Sequence, residues 1–168
     1  MDMKKYLLII TTLIVLISCD KEDKDESNIR IDREFILELN SKAFDTLIIE
    51  SNKFVLNAYL YRDFMPISPS DGKALISVNW LKNIDSIEIS DNIDLIEQYV
   101  INNDSIWISN YENESSVNQP KYKIEKISRN GPKWGPKIYV DVISKVHDSQ
   151  TDIDYYIRTK NIYIERTD

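Results

Sequence analysis

The sequence predicts an all-β fold: an antiparallel β-sandwich, Ig-like in layout, with at most one short helix. Three observations carry the prediction. Apolar and polar residues alternate with period two in several separate runs. Turn signals recur roughly every 8–15 residues, the spacing of short strands in a sandwich. The apolar set is strongly β-branched, with 27 Ile and 8 Val against 3 Ala among 168 residues. Such side chains fit a pleated, half-buried surface and lose rotamer freedom in a helix.

From the N-terminal side, Phe35, Leu37 and Leu39 suit a strand, while Phe35, Ile36, Leu39 and Ala43 suit a helical face. Phe44 to Ile49 is apolar enough to be buried on both sides. Phe54, Leu56, Ala58 and Leu60 alternate with Val55, Asn57, Tyr59 and Tyr61, and Ala74, Ile76, Val78 and Trp80 alternate with Leu75, Ser77 and Asn79. Between these runs, Pro66, Pro69 and Asp71-Gly72 mark a connection ending in a turn. Ile87 and Ile89 continue the pattern. Ile93, Ile96 and Val100, with Asp91 as a cap, have the spacing of a short helix. Ile106 and Ile108 alternate with Trp107, and Trp80 and Trp107 are assigned to the core or its edge. Ile138, Val140 and Val142 make another run, as do Ile153, Tyr155 and Ile157. Ile162 and Ile164 follow a turn near Thr159-Lys160-Asn161, and this last strand is too apolar to hang free, so it should pair inside the sheet. One domain over residues 29–168 is the simplest division.

The first 28 residues read as an address. Lys4 and Lys5 precede a charge-free run from Tyr6 to Ile17, followed by Ser18 and Cys19. This is the order of a signal peptide, over residues 1–18. As a helix the run is roughly 18 Å long at about 1.5 Å per residue, short of the about 20 residues that span a bilayer core. Leu16-Ile17-Ser18-Cys19 resembles the bacterial lipobox, in which the Cys is lipidated and becomes the new N-terminus. Residues 19–28 then run Cys-Asp-Lys-Glu-Asp-Lys-Asp-Glu-Ser-Asn, a stretch with no apolar residue after the Cys and so nothing to pack. It resembles the acidic export signal of surface-exposed lipoproteins of the Bacteroidetes kind. The resemblance implies an outer-membrane protein, lipid-anchored through Cys19 and facing the cell surface on a disordered tether. Asp45-Thr46-Leu47, Asp85-Ser86-Ile87 and Asp104-Ser105-Ile106 each resemble the Asp-[Ser/Thr]-apolar acceptor of that group's O-glycosylation, which makes Thr46, Ser86 and Ser105 candidates.

Composition excludes several functions. Cys19 is the one Cys and His147 the one His, so neither an internal disulfide nor a multi-histidine or thiolate metal centre can be built. Three Gly and no phosphate-loop motif argue against nucleotide binding. A net charge of −7 argues against nucleic acid as partner. No cofactor is implied. His147 beside Asp148 lacks a nucleophile on a sharp turn, and no carboxylate pair stands out, so no catalytic residue is assigned and the protein is read as a non-enzyme. Asp148, Asp152 and Asp154 could begin a calcium site, but their spacing is not that of an EF-hand loop, and a solvated turn is the better reading.

The most informative stretch is Lys121 to Lys137, with six basic residues against Glu125 alone. Gly131-Pro132 and Gly135-Pro136 bracket Lys133-Trp134, so this part is a loop. An exposed Trp134 could stack on a sugar, with Lys133, Arg129 and Lys137 holding carboxylate or sulfate groups. The alternative is that Trp134 folds back to cover an open end of the sandwich. The expected function is a surface-displayed binding or adhesion module for a glycan or an envelope protein. The competing expectation is an envelope inhibitor or immunity-type lipoprotein.

Overall fold

The computed structural model describes residues 29–112 and 119–168. The signal peptide, Cys19 and the tether lie outside the described residues. In chain order the elements are β1 (Ile29–Ile31), α1 (Arg33–Lys42), β2 (Ala43–Phe44), β3 (Leu47–Ile49), β4 (Asn52–Asp63), β5 (Leu75–Asn83), β6 (Ile93–Asn102), β7 (Ser105–Asn110), β8 (Lys123–Gly131), β9 (Tyr139–Asp148) and β10 (Ile153–Thr167). The fold is all-β with one short helix.

The strands do not separate into two stacked antiparallel sheets of Ig-like layout. They form one hydrogen-bonded path, β1-β7-β6-β9-β10-β4-β5-β8, with β2 attached to β10 and β3 to β4. The sheet is mixed, because β10 runs parallel to both β4 and β2. The cause lies in β10 itself. Its 15 residues pair with β9 from Ile153 onward, pass an irregularity between Thr159 and Ile162, and then pair with β4 through Ile164–Thr167. One long strand thus belongs to both halves of the sheet and turns it. The path curls far enough for the segment just after β7 to meet β8, where the Glu112 N–H donates to the Ile127 carbonyl at 2.8 Å.

The helix lies where the sequence left two options open. Asp32 caps it, its Oδ1 accepting from the Phe35 N–H at 2.9 Å. Ile36 and Leu39 are buried, one turn apart. They pack with Ala43, Tyr99, Ile101, Ile106 and Ile143 on the outside of the curl. Burying each is worth about 1.5–3 kcal/mol. The helix expected after Asp91 is instead β6. A register shift between Leu95 and Glu97 inserts Ile96 as an extra residue. The insertion breaks period two and imitates helical spacing.

The main core fills the inside of the curl, with Leu56, Leu60, Leu81, Val142 and Ile157 among its members and Trp107 1% exposed. Strand β5 faces the opposite way from what its apolarity suggests. Leu75, Ser77, Asn79 and Leu81 point inward, while Ile76, Val78 and Trp80 point outward. The inward polar groups pair with one another, except that the buried Asn79 Oδ1 has no hydrogen-bond partner. The Asn79 amide donates to Ser77 Oγ and to Gln98 Oε1, both at 2.8 Å, and Gln98 donates to Ser109 Oγ at 3.0 Å. This bridge ties the two halves of the sheet together inside the curl. Ile87, expected to continue a strand, is exposed in the connection between β5 and β6, whereas Ile89 is buried.

Candidate functional site

At one end of the curl the β4–β5 and β8–β9 connections lie side by side, locked by Arg62. This side chain is 3% exposed at the end of β4. Its guanidinium donates to the carbonyls of Lys73 at 2.9 Å, Lys133 at 3.0 Å, Gly135 at 2.8 Å, and also Asp71. A planar fork of donors suits four acceptors drawn from two loops. Burial lowers the Arg62 pKa, opposed by the Asp71 charge. Ion pairs repeat the lock outside: Lys133 with Asp71 and Lys73 with Asp63, both at 2.6 Å. Hydrogen bonds from these lysines hold the carboxyls of Asp71 and Asp63 below their ordinary range. The Phe64 ring lies beneath the Arg166 guanidinium, 4.0 Å from ring centre to cation. Gly72 sits at φ +76° against that ring, where a Cβ would approach to 2.5 Å.

The sequence-predicted binding residues fall within or near this assembly. Trp134 is half-buried and packs against the main core. Lys133 is paired as described. Lys137 is exposed at φ +71°, its N–H donating to the Ile164 carbonyl at 3.0 Å. Arg129 stands apart on β8, where its Nε donates to Glu112 Oε2 at 3.0 Å. Three of the four share one loop. Arg129 instead bridges the seam between β8 and the segment just after β7.

The aspartates of the β9–β10 turn have separate tasks. Asp148 is buried and accepts from the Thr151 hydroxyl at 2.7 Å, the Gln150 N–H at 3.0 Å and the Asn92 amide. The Thr151 bond, then the Asn92 bond, lowers its pKa. Asp154 pairs with Lys145 at 2.6 Å and with His147 Nδ1 at 2.9 Å. Asp152 occupies the turn at φ +56°. Among the described residues no group of three or more His, Cys, Asp or Glu is arranged to hold a metal ion. Of the glycosylation candidates, Thr46 is exposed beside Asp45, which pairs with Arg158 at 2.8 Å. Ser86 is exposed in a turn at φ +58°. Ser105 is half-buried in β7.

A surface to which the sequence reading assigns no ligand lies on the outside of β10, β4, β5 and β8. Helix α1 packs over β6, β7, β9 and the first part of β10, and this other half of the outer face carries tyrosines instead. Tyr139 pairs in register with Tyr163, Tyr59 with Val78, and Val78 with Ile127. Tyr163 and Tyr59 come immediately before the paired Ile164 and Leu60 on adjacent parallel strands. Tyr139 is 65% exposed and Tyr59 39%. Ring centroids are 5.2 Å apart for Tyr139–Tyr163 and 5.4 Å for Tyr59–Tyr61. The exposed Asn57 lies opposite Trp80, whose indole N–H donates to Glu125. The available signal was the alternation of Tyr59 and Tyr61 with Leu60, which puts both rings on the face away from the core. No known protein family, curated protein or solved structure matches the chain.

Proposed function

We propose that the chain is a lipid-anchored outer-membrane lipoprotein whose β-domain is a non-enzymatic binding module for an envelope glycan or envelope protein. The anchoring half rests on the lipobox-like Leu16-Ile17-Ser18-Cys19 and the acidic stretch after it. The binding half rests on one observation, the exposed tyrosine row on the half of the outer face that the helix does not pack over. Flat rings flanked by amide and charged groups can stack on sugars or anchor a protein contact. The half-buried packing of Trp134 favours the tyrosine face over the Trp134 loop as the recognition surface.

Two experiments test the two halves. Cys19→Ala should abolish incorporation of labelled lipid and release the protein from the outer-membrane fraction. Membrane retention without label would refute the lipid anchor. Binding to purified envelope polysaccharide, read by calorimetry, should weaken at least tenfold in Tyr59→Ala/Tyr139→Ala and stay within twofold in Lys137→Ala. Binding indifferent to the tyrosines would refute this face as the site.

A further inference from the structure

At the locked end of the domain, the β4–β5 connection presents an apolar tip. Met65 is 52% exposed, Pro66 is exposed and Ile67 is fully exposed. Exposure here follows from the loop's construction. The Met65 N–H donates to Asp63 Oδ1 at 2.8 Å, and the Ser68 N–H closes a turn on the Met65 carbonyl at 2.9 Å. Arg62 and the Lys73–Asp63 pair fix the base of the loop. Ile67 sits at φ +89°, a conformation that β-branched residues rarely adopt. The strain is not offset by burial, since the side chain touches water on all sides. Strain held at an exposed position by a rigid surround is a mark of function.

The collar around the tip is basic. Lys73, Lys133, Lys137 and Arg166 stand against Asp63, Asp71 and Asp168, a local surface excess of one positive charge in a chain of net −7, with Arg62 buried beneath. We propose that this end docks on an anionic phospholipid surface, with Met65 and Ile67 entering the interfacial region and the basic collar meeting headgroup phosphates. The charge excess matches anionic lipid. Three apolar side chains are too small a patch for a stable protein interface, which needs about 800 Å² on each partner. They suffice as a second contact for a protein already held near a membrane. Nine residues separate Cys19 from Ile29, a reach of about 35 Å over the ten steps when extended, so an anchored Cys19 and this tip can share one membrane. The tyrosine face would then stand upright from that surface, free to bind.

The test uses the full chain carrying Cys19→Ala, which leaves no other thiol. Ile67→Cys is labelled with an environment-sensitive fluorophore, and Ser86→Cys, in the turn at the opposite end of the sheet, is labelled as a control. Each is mixed with vesicles of phosphatidylcholine alone or of phosphatidylcholine with one-third phosphatidylglycerol. The expected result is a blue shift at position 67 on anionic vesicles only, none at position 86, and reversal by high salt. Lys137→Glu should weaken partitioning about fivefold or more, since each basic residue near such a surface is worth about 1 kcal/mol. Sedimentation with vesicles while position 67 stays in water would mean that only the apolar stretch at residues 6–17 binds, and would overturn the proposal. So would equal shifts at both positions, or no shift, as expected if the tip seats on a protein. Because Cys19 is absent throughout, failure here is separable from failure of the lipid anchor. The glycan assay separates it from failure of the tyrosine face.

Discussion

Replacing Arg62 by Met keeps much of the side chain's stem and removes its donors. The side chain is 3% exposed, and its guanidinium meets four carbonyls, three of them at 2.8–3.0 Å. A hydrogen bond to a charged group contributes about 1.5–3 kcal/mol, but the four share one cation and do not add. Asp71, Lys73 and Lys133 are exposed residues, so their freed carbonyls regain water. The half-buried Gly135 carbonyl regains it less well. The expected loss is about 3–4 kcal/mol, against total stabilities of about 5–15 kcal/mol for domains generally. With a urea slope of about 2 kcal/mol/M, the unfolding midpoint should fall by about 1.5–2 M at unchanged slope. Arg62→Lys should recover less than half of this, because a single ammonium cannot span acceptors from two loops. Both variants should also be cleaved faster by protease between residues 64 and 73. A loss below about 1 kcal/mol, or a Lys variant as stable as the parent, would show that the loops hold themselves and that Arg62 is a passenger.

Three further outcomes follow from the same structure. Gly131→Ala places a Cβ 2.7 Å from the ring of the buried Trp107, so it should cost about 1–3 kcal/mol by overpacking, read as a lower thermal midpoint; a neutral result would mean that the ring is free to move. Asp148 has a lowered folded pKa, so its contribution is complete above the unfolded value of about 3.9 and is lost as pH falls through the folded value; Asp148→Asn should therefore be less stable than the parent at pH 6, with the gap closing below about pH 4 in urea titrations, and a gap unchanged at pH 2 would refute the assignment. Trp134→Ala should cost about 2–3 kcal/mol because the ring packs on the core, whereas Tyr139→Ala, at 65% exposure, should cost under about 1 kcal/mol; reversal of that order in chemical denaturation would return Trp134 to the list of exposed binding residues.

Where one face of a strand is apolar and the other polar, the sequence carries the answer: Leu56 and Leu60 face the core and Tyr59 faces out, as their alternation says. Strand β5 carries apolar residues on both faces, and the choice between them falls to residues far away. Ser77 and Asn79 point inward because Gln98 on β6 supplies the partner. Nothing near residue 79 announces this. The single extra residue at Ile96 likewise erases the period that would have marked β6, and the turn in β10 that makes the sheet mixed depends on which strands lie on each side of it.

The charge of the candidate stretch was only partly legible for a reason of the same kind. Between Lys121 and Lys137 the chain looks strongly basic, but the acids that neutralise it come from elsewhere. Glu88 meets Lys121, Asp94 meets Lys126, Glu112 meets Arg129 and Asp71 meets Lys133, this last across 62 residues. A local run of one sign therefore measures how many partners a segment will find in the folded chain. The surplus left after folding is what a ligand meets. Here the surplus sits at the end that holds Lys137, beside an apolar tip whose three residues, Met65-Pro66-Ile67, form no periodic pattern and so read in the sequence as nothing more than a connection.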